Sequence, residues 1–255
     1  MKIIIGDTGL VGTTLCESIN FDLKFNSKNL DTFTSIVEDG CELYLSCLPA
    51  TKWMVNKNVT GDFENMMNIL NIIKTKKYSK VILISTIDVY NGQILKSNEN
   101  TTPLITSLNY GNNRYLFEIL CKHFLNTPEL KIFRLPALFN KHIKKNILYD
   151  LINNNNIESI NSNSCFQWYN LDNLPNDILK FTKKYPNETI FNLFTEPIES
   201  SEIIKMFPNF IDKVGFSENK IIYNFTTKFF ENGYISSKEE ILTEIKEFTN
   251  EIINK

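Results

Sequence analysis

Met1-Lys2-Ile3-Ile4-Ile5-Gly6-Asp7-Thr8-Gly9-Leu10-Val11-Gly12 opens the chain, and its reading decides the fold. The apolar run that ends at Ile5 suits a strand buried on both faces of a parallel sheet. Gly6, Gly9 and Gly12 then turn the chain into a helix that continues through Ile19. Glycines so placed let the backbone turn sharply and come close to a bulky anion, while the free N–H groups of the first helical turn face its charge. An ordinary tight turn would use glycine as well. Directly after an apolar N-terminal strand, however, this spacing is the context that serves a dinucleotide pyrophosphate, with Gly6, Thr8, Gly9, Leu10, Val11 and Gly12 as its expected contacts.

Working outward, a short second strand is expected over residues 22–25, followed by Asn26-Ser27-Lys28. A site that prefers NAD carries an acid near this point for the ribose hydroxyls. Here a serine and a lysine stand instead and suit a 2′-phosphate, so NADP is the expected cofactor and NAD the other candidate. A solvated surface lysine would equally explain Lys28. Residues 41–48 read as a buried strand closed by Pro49. Val59, Phe63, Met66, Met67, Leu70 and Ile73 then recur at helical spacing. A strand over 81–85, a helix over 109–125 and a strand over 131–135 continue the alternation. That pattern predicts an α/β fold, a Rossmann-type doubly wound parallel sheet with right-handed crossovers. Beyond Pro136 the pattern loosens into helices near 144–153 and after Leu174, a strand over 190–194 and a closing helix over 237–253. Ser237 and Glu240 have the spacing of a capping box at the start of that last helix. With no internal repeat and no linker rich in Pro, Gly or Ser, residues 1–255 read as a single domain.

A chain of 255 residues, 42% hydrophobic and 22% charged, buries an ample core without staples. Its formal charge of −2 gives no sign of a nucleic-acid or anionic-membrane partner. Five cysteines, none spaced Cys-x-x-Cys, and two histidines offer no metal site, so free thiols in a reducing compartment are expected. The first apolar run stops at Gly6, short of what a secretory or membrane segment needs, so the expected location is cytoplasmic.

Several further blocks follow in order. Asn58-Val59-Thr60-Gly61 opens one helix, Ser85-Thr86-Ile87-Asp88-Val89-Tyr90 closes a strand, Tyr110-Gly111-Asn112-Asn113-Arg114 opens the next helix, and Arg134-Leu135-Pro136-Ala137-Leu138-Phe139 closes another strand. Together with the glycine loop they resemble the extended branch of the short-chain dehydrogenase/reductase superfamily, the nucleotide-sugar epimerases, dehydratases and reductases. The resemblance is dense as far as Phe139 and thin afterwards. It implies a catalytic hydroxyl at Thr86 and a catalytic phenol at Tyr110. Arg114 stands where that branch has lysine, and Tyr90-Asn91 where it has Tyr-Gly.

One helical turn separates Tyr110 from Arg114, so both can face one ligand. A phenol titrates near pH 10 and needs a nearby cation to work as an acid or base at neutrality. Arg114 brings permanent charge and a fork for ribose hydroxyls but no proton to shuttle. Thr86 would hold the ketone oxygen. Leu48, Pro49 and Ala50, at a strand end facing the ligand crevice, should line the nicotinamide ribose, although packing alone would also account for them. Pro136 is implied beside the nicotinamide. Asp88 occupies a place where some dehydratases carry an acid, and a solvent-facing loop acid is the alternative. Gln167 and Trp168, next to Tyr169, offer an aromatic shelf for the substrate or a core strand. Stretches at about 140–180 and 195–255 would form a small C-terminal substrate-binding portion.

The resemblance thus implies an NAD(P)-dependent oxidoreductase that moves hydride between nicotinamide and a carbon of a nucleotide-linked or related keto-sugar. Reduction of a 4-keto sugar comes first, epimerisation second. Dehydration comes third, because Ile87 occupies one of its two acid places. A homodimer is common in that branch. The competing class is a non-catalytic dinucleotide-binding regulator or scaffold on the same fold, toward which Arg114 and the short second half both point.

Overall fold

The computed structural model describes residues 1–90, 92 and 94–253, so Asn91 lies outside the described residues. The chain divides into two compact units. The first comprises Met1–Gln93, Thr101–Arg134 and Leu174–Phe191; the second comprises Ile94–Asn100, Leu135–Asn173 and Asn192–Lys255.

In chain order the first unit holds β1 (Lys2–Ile5), α1 (Leu10–Ser18), β2 (Leu23–Phe25), α2 (Phe33–Ile36), β3 (Cys41–Leu45), α3 (Lys52–Lys57), α4 (Val59–Ile73), β4 (Tyr78–Thr86), α5 (Tyr110–Phe124) and β5 (Leu130–Leu135). The chain then runs through β6 (Ala137–Phe139), α6 (Ile147–Asn153), β7 (Cys165–Phe166) and β8 (Trp168–Asn170) of the second unit. It returns with α7 (Leu174–Lys184) and β9 (Ile190–Asn192), and ends in β10 (Ile198–Glu199), α8 (Ser200–Ile204) and α9 (Lys238–Ile253).

The strands order as β2-β1-β3-β4-β5-β9. β1 pairs in parallel with β2 on one side and β3 on the other, and β3 pairs in parallel with β4. The winding therefore reverses between β1 and β3, and it is beyond the carboxyl ends at such a reversal that open α/β sheets take their ligands. This is the α/β, doubly wound architecture read from the alternation. Ile3, Ile5, Leu43, Leu45, Val81 and Leu83 form the sheet's buried face with Met66, Leu70 and Ile73 of α4 and Phe117 of α5. Each such side chain contributes about 1.5–3 kcal/mol by leaving water.

β3 stops at Leu45, three residues earlier than its apolar pattern suggests. Ser46 N–H makes the last rung, to Ile5 O at 3.0 Å, and the chain then leaves the ladder. α4 begins where Asn58 Oδ1 accepts the Gly61 N–H at 3.1 Å.

In the second unit, β6 pairs in parallel with β8, and β10 pairs antiparallel with β7. Its own core gathers Phe139, Leu148, Leu151, Trp168, Ile198, Ile203, Ile241 and Ile245. The capping box of α9 forms as expected: Glu240 N–H donates to Ser237 Oγ at 3.3 Å, and Ser237 N–H donates to Glu240 Oε2 at 2.8 Å. All five cysteines are free thiols. Among the described residues, no helix is long and apolar enough to cross a membrane, and no group of His, Cys, Asp and Glu could hold a metal ion.

Candidate active site

The glycine loop is built by close backbone approach. Gly6 has φ of +98°, and a Cβ on Gly12 would overlap the Gly6 carbonyl, so neither position accepts a side chain. Gly9 differs. Its φ of −75° and ψ of 167° suit any residue, and a Cβ there would meet only Gly6 O at 3.6 Å. The folded chain itself does not require glycine at this exposed place, whereas a bulky anion pressed on the backbone would. Gly9 is also the N-cap of α1 and brings no side chain to bond its first turn. The first-turn N–H donors around Leu10, Val11 and Gly12 thus receive no side-chain cap from Gly9, an arrangement that fits a dinucleotide pyrophosphate.

At the end of β2, Gly6 N–H donates to Phe25 O at 2.7 Å, which ties the loop to the strand. Asn26 Nδ2 donates to Asp7 Oδ1 at 3.1 Å, and Asn26 Oδ1 accepts the Lys28 N–H at 3.0 Å. Ser27 and Lys28 are exposed.

Tyr110 begins α5. Asn109 caps that helix by accepting the Asn112 N–H at 3.0 Å, and Asn56 Oδ1 of α3 accepts the Tyr110 N–H at 2.8 Å. Gly111 permits the approach that follows, because a Cβ there would overlap the Asp88 carbonyl. With the helix start pressed on the end of β4, Thr86 stands close enough to the Tyr110 hydroxyl to help lower its pKa, and the tyrosine ring is buried. Burial pushes the phenol above its ordinary pKa, the positive charge of Arg114 pulls it down, and the Asp88 carboxylate pushes it up again.

The Arg114 guanidinium lies over the Tyr110 ring, 4.7 Å from its centroid. Its fork is committed elsewhere. Nη1 and Nη2 donate to the two oxygens of Asp62 at 2.8 Å each, and Nη2 also donates to Pro49 O at 2.6 Å. Three of the five donors of an arginine are thus held inside the first unit. The expected fork onto ribose hydroxyls is replaced by a fork onto Asp62, which also accepts from Asn113 Nδ2 at 2.8 Å.

A second buried network fixes the frame around Thr86. Ser85 Oγ donates to Glu118 Oε1 at 2.5 Å; Arg134 grips both Glu118 oxygens and donates through Nη1 to Tyr90 Oη at 2.6 Å. Asp88 pairs with Lys52 Nζ at 2.5 Å, so it is neither a bare loop acid nor an isolated one. Leu48 is half-buried, and Pro49 and Ala50 are exposed beside it.

No protein-family model and no curated protein matches the chain by sequence. Solved structures match it in fold. MoeE5 in complex with UDP-glucose and NAD superposes with a TM-score of 0.73 at 13% identity, covering 98% of both chains. UDP-glucuronic acid 4-epimerase from Bacillus cereus, in complex with UDP-4-deoxy-4-fluoro-glucuronic acid and NAD, gives 0.72 at 15% identity over 100% of this chain and 99% of the other. The dTDP-4-dehydrorhamnose reductase of Bacillus anthracis str. Ames, in complex with NADP, gives 0.69 at 16% identity over 98% of both. The chain has the fold of the nucleotide-sugar epimerases and reductases. This is the fold expected from its resemblance to the extended short-chain dehydrogenases/reductases, and at these identities the likeness speaks for fold alone.

Within this nucleotide-sugar epimerase fold, the first unit brings together the glycine loop, the 48–50 segment, Thr86, Asp88, Tyr110 and Arg114. Pro136, Gln167 and Trp168 belong to the second unit. The shelf expected of the latter two does not form from these side chains; the core strand does. Gln167 Nε2 donates to Thr195 O at 2.6 Å and Phe225 O at 2.8 Å, and its Oε1 accepts the Phe225 N–H at 2.8 Å. Trp168 is 1% exposed. A polar-aromatic run signals a shelf only while its polar atoms are free, and here the amide stitches three backbone segments. Pro136 is buried.

Sequence reading missed Asp62, Asn56 and Lys52. Asp62 carried one usable signal, its place one residue after Asn58-Val59-Thr60-Gly61 in the first turn of α4. Asn56 and Lys52 lie on α3, which no periodicity announced.

Proposed function

We propose that the chain is an NAD(P)-dependent oxidoreductase acting on a nucleotide-linked or related keto-sugar, of the 4-keto reductase or epimerase type. One observation carries the reading: Tyr110 stands beside Thr86 with an arginine over its ring, in the same unit as a glycine loop that keeps Gly9 open. The three solved structures of similar fold described above, each holding NAD or NADP, support it.

In this reading Gly6, Thr8, Gly9, Leu10, Val11 and Gly12 hold the pyrophosphate. Asn26, Ser27 and Lys28 bound the adenosine ribose, and Leu48, Pro49 and Ala50 lie along the nicotinamide. A bound nicotinamide supplies the hydride or takes it. Tyr110 holds the proton for the sugar oxygen, and Thr86 donates a hydrogen bond to the same oxygen as charge develops there. Arg114 keeps positive charge against the phenol without leaving Asp62. Asp88, paired with Lys52, faces the substrate. The protein acts in the cytoplasm, as a homodimer if it follows the branch it resembles.

A second reading, a dinucleotide-binding regulator without turnover, draws on the commitment of Arg114 to Asp62, which removes the ribose-binding and relay duties a lysine would serve. The experiment is oxidation of NADH and NADPH against a panel of nucleotide 4-keto sugars, with Tyr110→Phe as the control. Turnover that falls at least about 100-fold in Tyr110→Phe while nucleotide binding is kept supports the enzyme. Equal turnover in the variant refutes the role of Tyr110, and tight binding with no turnover on any sugar favours the regulator.

A further inference from the structure

Folding brings to the end of β2 an acid that the linear sequence places elsewhere. Asp7 belongs to the glycine loop, yet its Oδ1 accepts from Asn26 Nδ2 at 3.1 Å across a separation of 19 residues. Asn26 is itself fixed. Its N–H donates to Asn29 Oδ1 at 2.8 Å, its Oδ1 accepts the Lys28 N–H at 3.0 Å, and the adjacent Phe25 carbonyl accepts the Gly6 N–H at 2.7 Å. Loop and strand end are one stitched unit, with the Asp7 carboxylate on it. In a sheet of this topology the adenosine ribose of a dinucleotide lies at that strand end, where an acid takes its hydroxyls.

Resting on the cofactor reading given above, we propose that Asp7, held by Asn26, selects a ribose bearing a free 2′-hydroxyl, so that the chain binds NAD(H) in preference to NADP(H). A carboxylate accepts hydroxyl protons in charge-assisted bonds. A 2′-phosphate carries between one and two negative charges, offers no proton of that kind, and meets a like charge. The sequence points toward NADP through Ser27 and Lys28. Both side chains are exposed, and an exposed lysine on a flexible stem returns little against an anion held in place. The acid supplied by the loop therefore outweighs the cation beside the strand.

The test is equilibrium binding of NADH, NADPH, ADP-ribose and 2′-phospho-ADP-ribose to the full chain and to Asp7→Asn, read by calorimetry. The wild type should bind NADH about tenfold more tightly than NADPH, with the same ratio for the two ADP-ribose compounds. Asp7→Asn should bring that ratio close to parity, chiefly by tightening the phosphorylated ligands. Because the discrimination is a charge effect at a partly exposed site, the wild-type ratio should also shrink between about 50 and 500 mM salt. Equal binding or a preference for NADPH in the wild type overturns the proposal while leaving the cofactor reading intact. An unchanged ratio in folded Asp7→Asn overturns it too. Should that variant fail to fold, a wild-type ratio indifferent to salt does so. Absence of binding by either nucleotide sinks the cofactor reading and this inference with it.

Discussion

Arg114 and Asp62 close a bidentate ion pair between α5 and α4, with both N···O distances at 2.8 Å and side chains only 6% and 3% exposed. A pair this deep is strongly coupled, because removing one partner leaves the other charged and dry. Asp62→Ala should cost about 3–5 kcal/mol, measured as the loss of unfolding free energy in urea. Arg114→Met alone should cost a similar amount. The double variant Asp62→Leu/Arg114→Met should recover much of it, since two apolar groups leave no stranded charge. If the two single losses simply add in the double variant, the pair is not coupled as its geometry indicates.

The glycine loop separates folding from binding within a span of seven residues, Gly6 to Gly12. Gly12→Ala drives a methyl group into the Gly6 carbonyl and should destabilise the protein severely, giving little folded material. Gly9→Ala meets nothing closer than 3.6 Å and has compatible backbone angles, so its melting temperature should stay within a few degrees of wild type. Nucleotide affinity should nonetheless fall about tenfold or more, as the methyl group occupies the phosphate's approach. Gly9→Ala with unaltered affinity would show that the loop does not carry the pyrophosphate.

How much of this was legible beforehand depends on whether the signal was local. β1, α1, α4 and α5 follow from runs and periodicities of neighbouring residues; β1 and α4 have the expected bounds, and the end of α1 and both ends of α5 differ by one position. The capping box at Ser237 is equally local. The partners of the site are not. Asp62 reaches Arg114 across 52 residues and Asp7 reaches Asn26 across 19, and no spacing rule encodes either meeting. Gln167 misled for the same reason. Its amide looked available because Thr195 and Phe225, which consume it, lie 28 and 58 residues further on.

With Tyr110 as the proposed proton donor, the state of its phenol would set a pH dependence for turnover. Burial raises its pKa against the pull of Arg114, so the protonated form persists past the ordinary tyrosine value near 10. Reduction, which consumes that proton, should proceed at a constant rate from neutral pH to about 10 and decline only above it. Arg114→Met removes the charge that pulls the pKa down and should move the decline further toward alkaline pH, to the extent that the variant remains folded. A kcat profile whose alkaline limb begins near pH 8 would mean that another group supplies the proton.

Alkaline stability tests the buried ionisable groups independently of any activity. Burial raises the phenols of Tyr44 and Tyr78 as well as Tyr110, pushes the Cys47 thiol up to about 12, and raises Cys121. For each group the folded pKa lies above the unfolded one. The stabilisation is thus complete below the unfolded value and is lost as pH climbs toward the folded value. Unfolding free energy should hold level to about pH 8.5, where unfolded thiols begin to ionise, and steepen past about pH 10, where unfolded phenols follow. Each withheld proton adds a slope of about 1.4 kcal/mol per pH unit. Tyr78→Phe isolates one contribution. It should lower neutral stability by about 1 kcal/mol, because Ile73 O loses a donor at 2.6 Å, and flatten the decline above pH 10 by one proton's slope. Urea titrations at half-unit pH steps would read both effects. A Tyr78→Phe curve that runs parallel to wild type above pH 10 would mean this phenol ionises as freely in the folded chain as in the unfolded one.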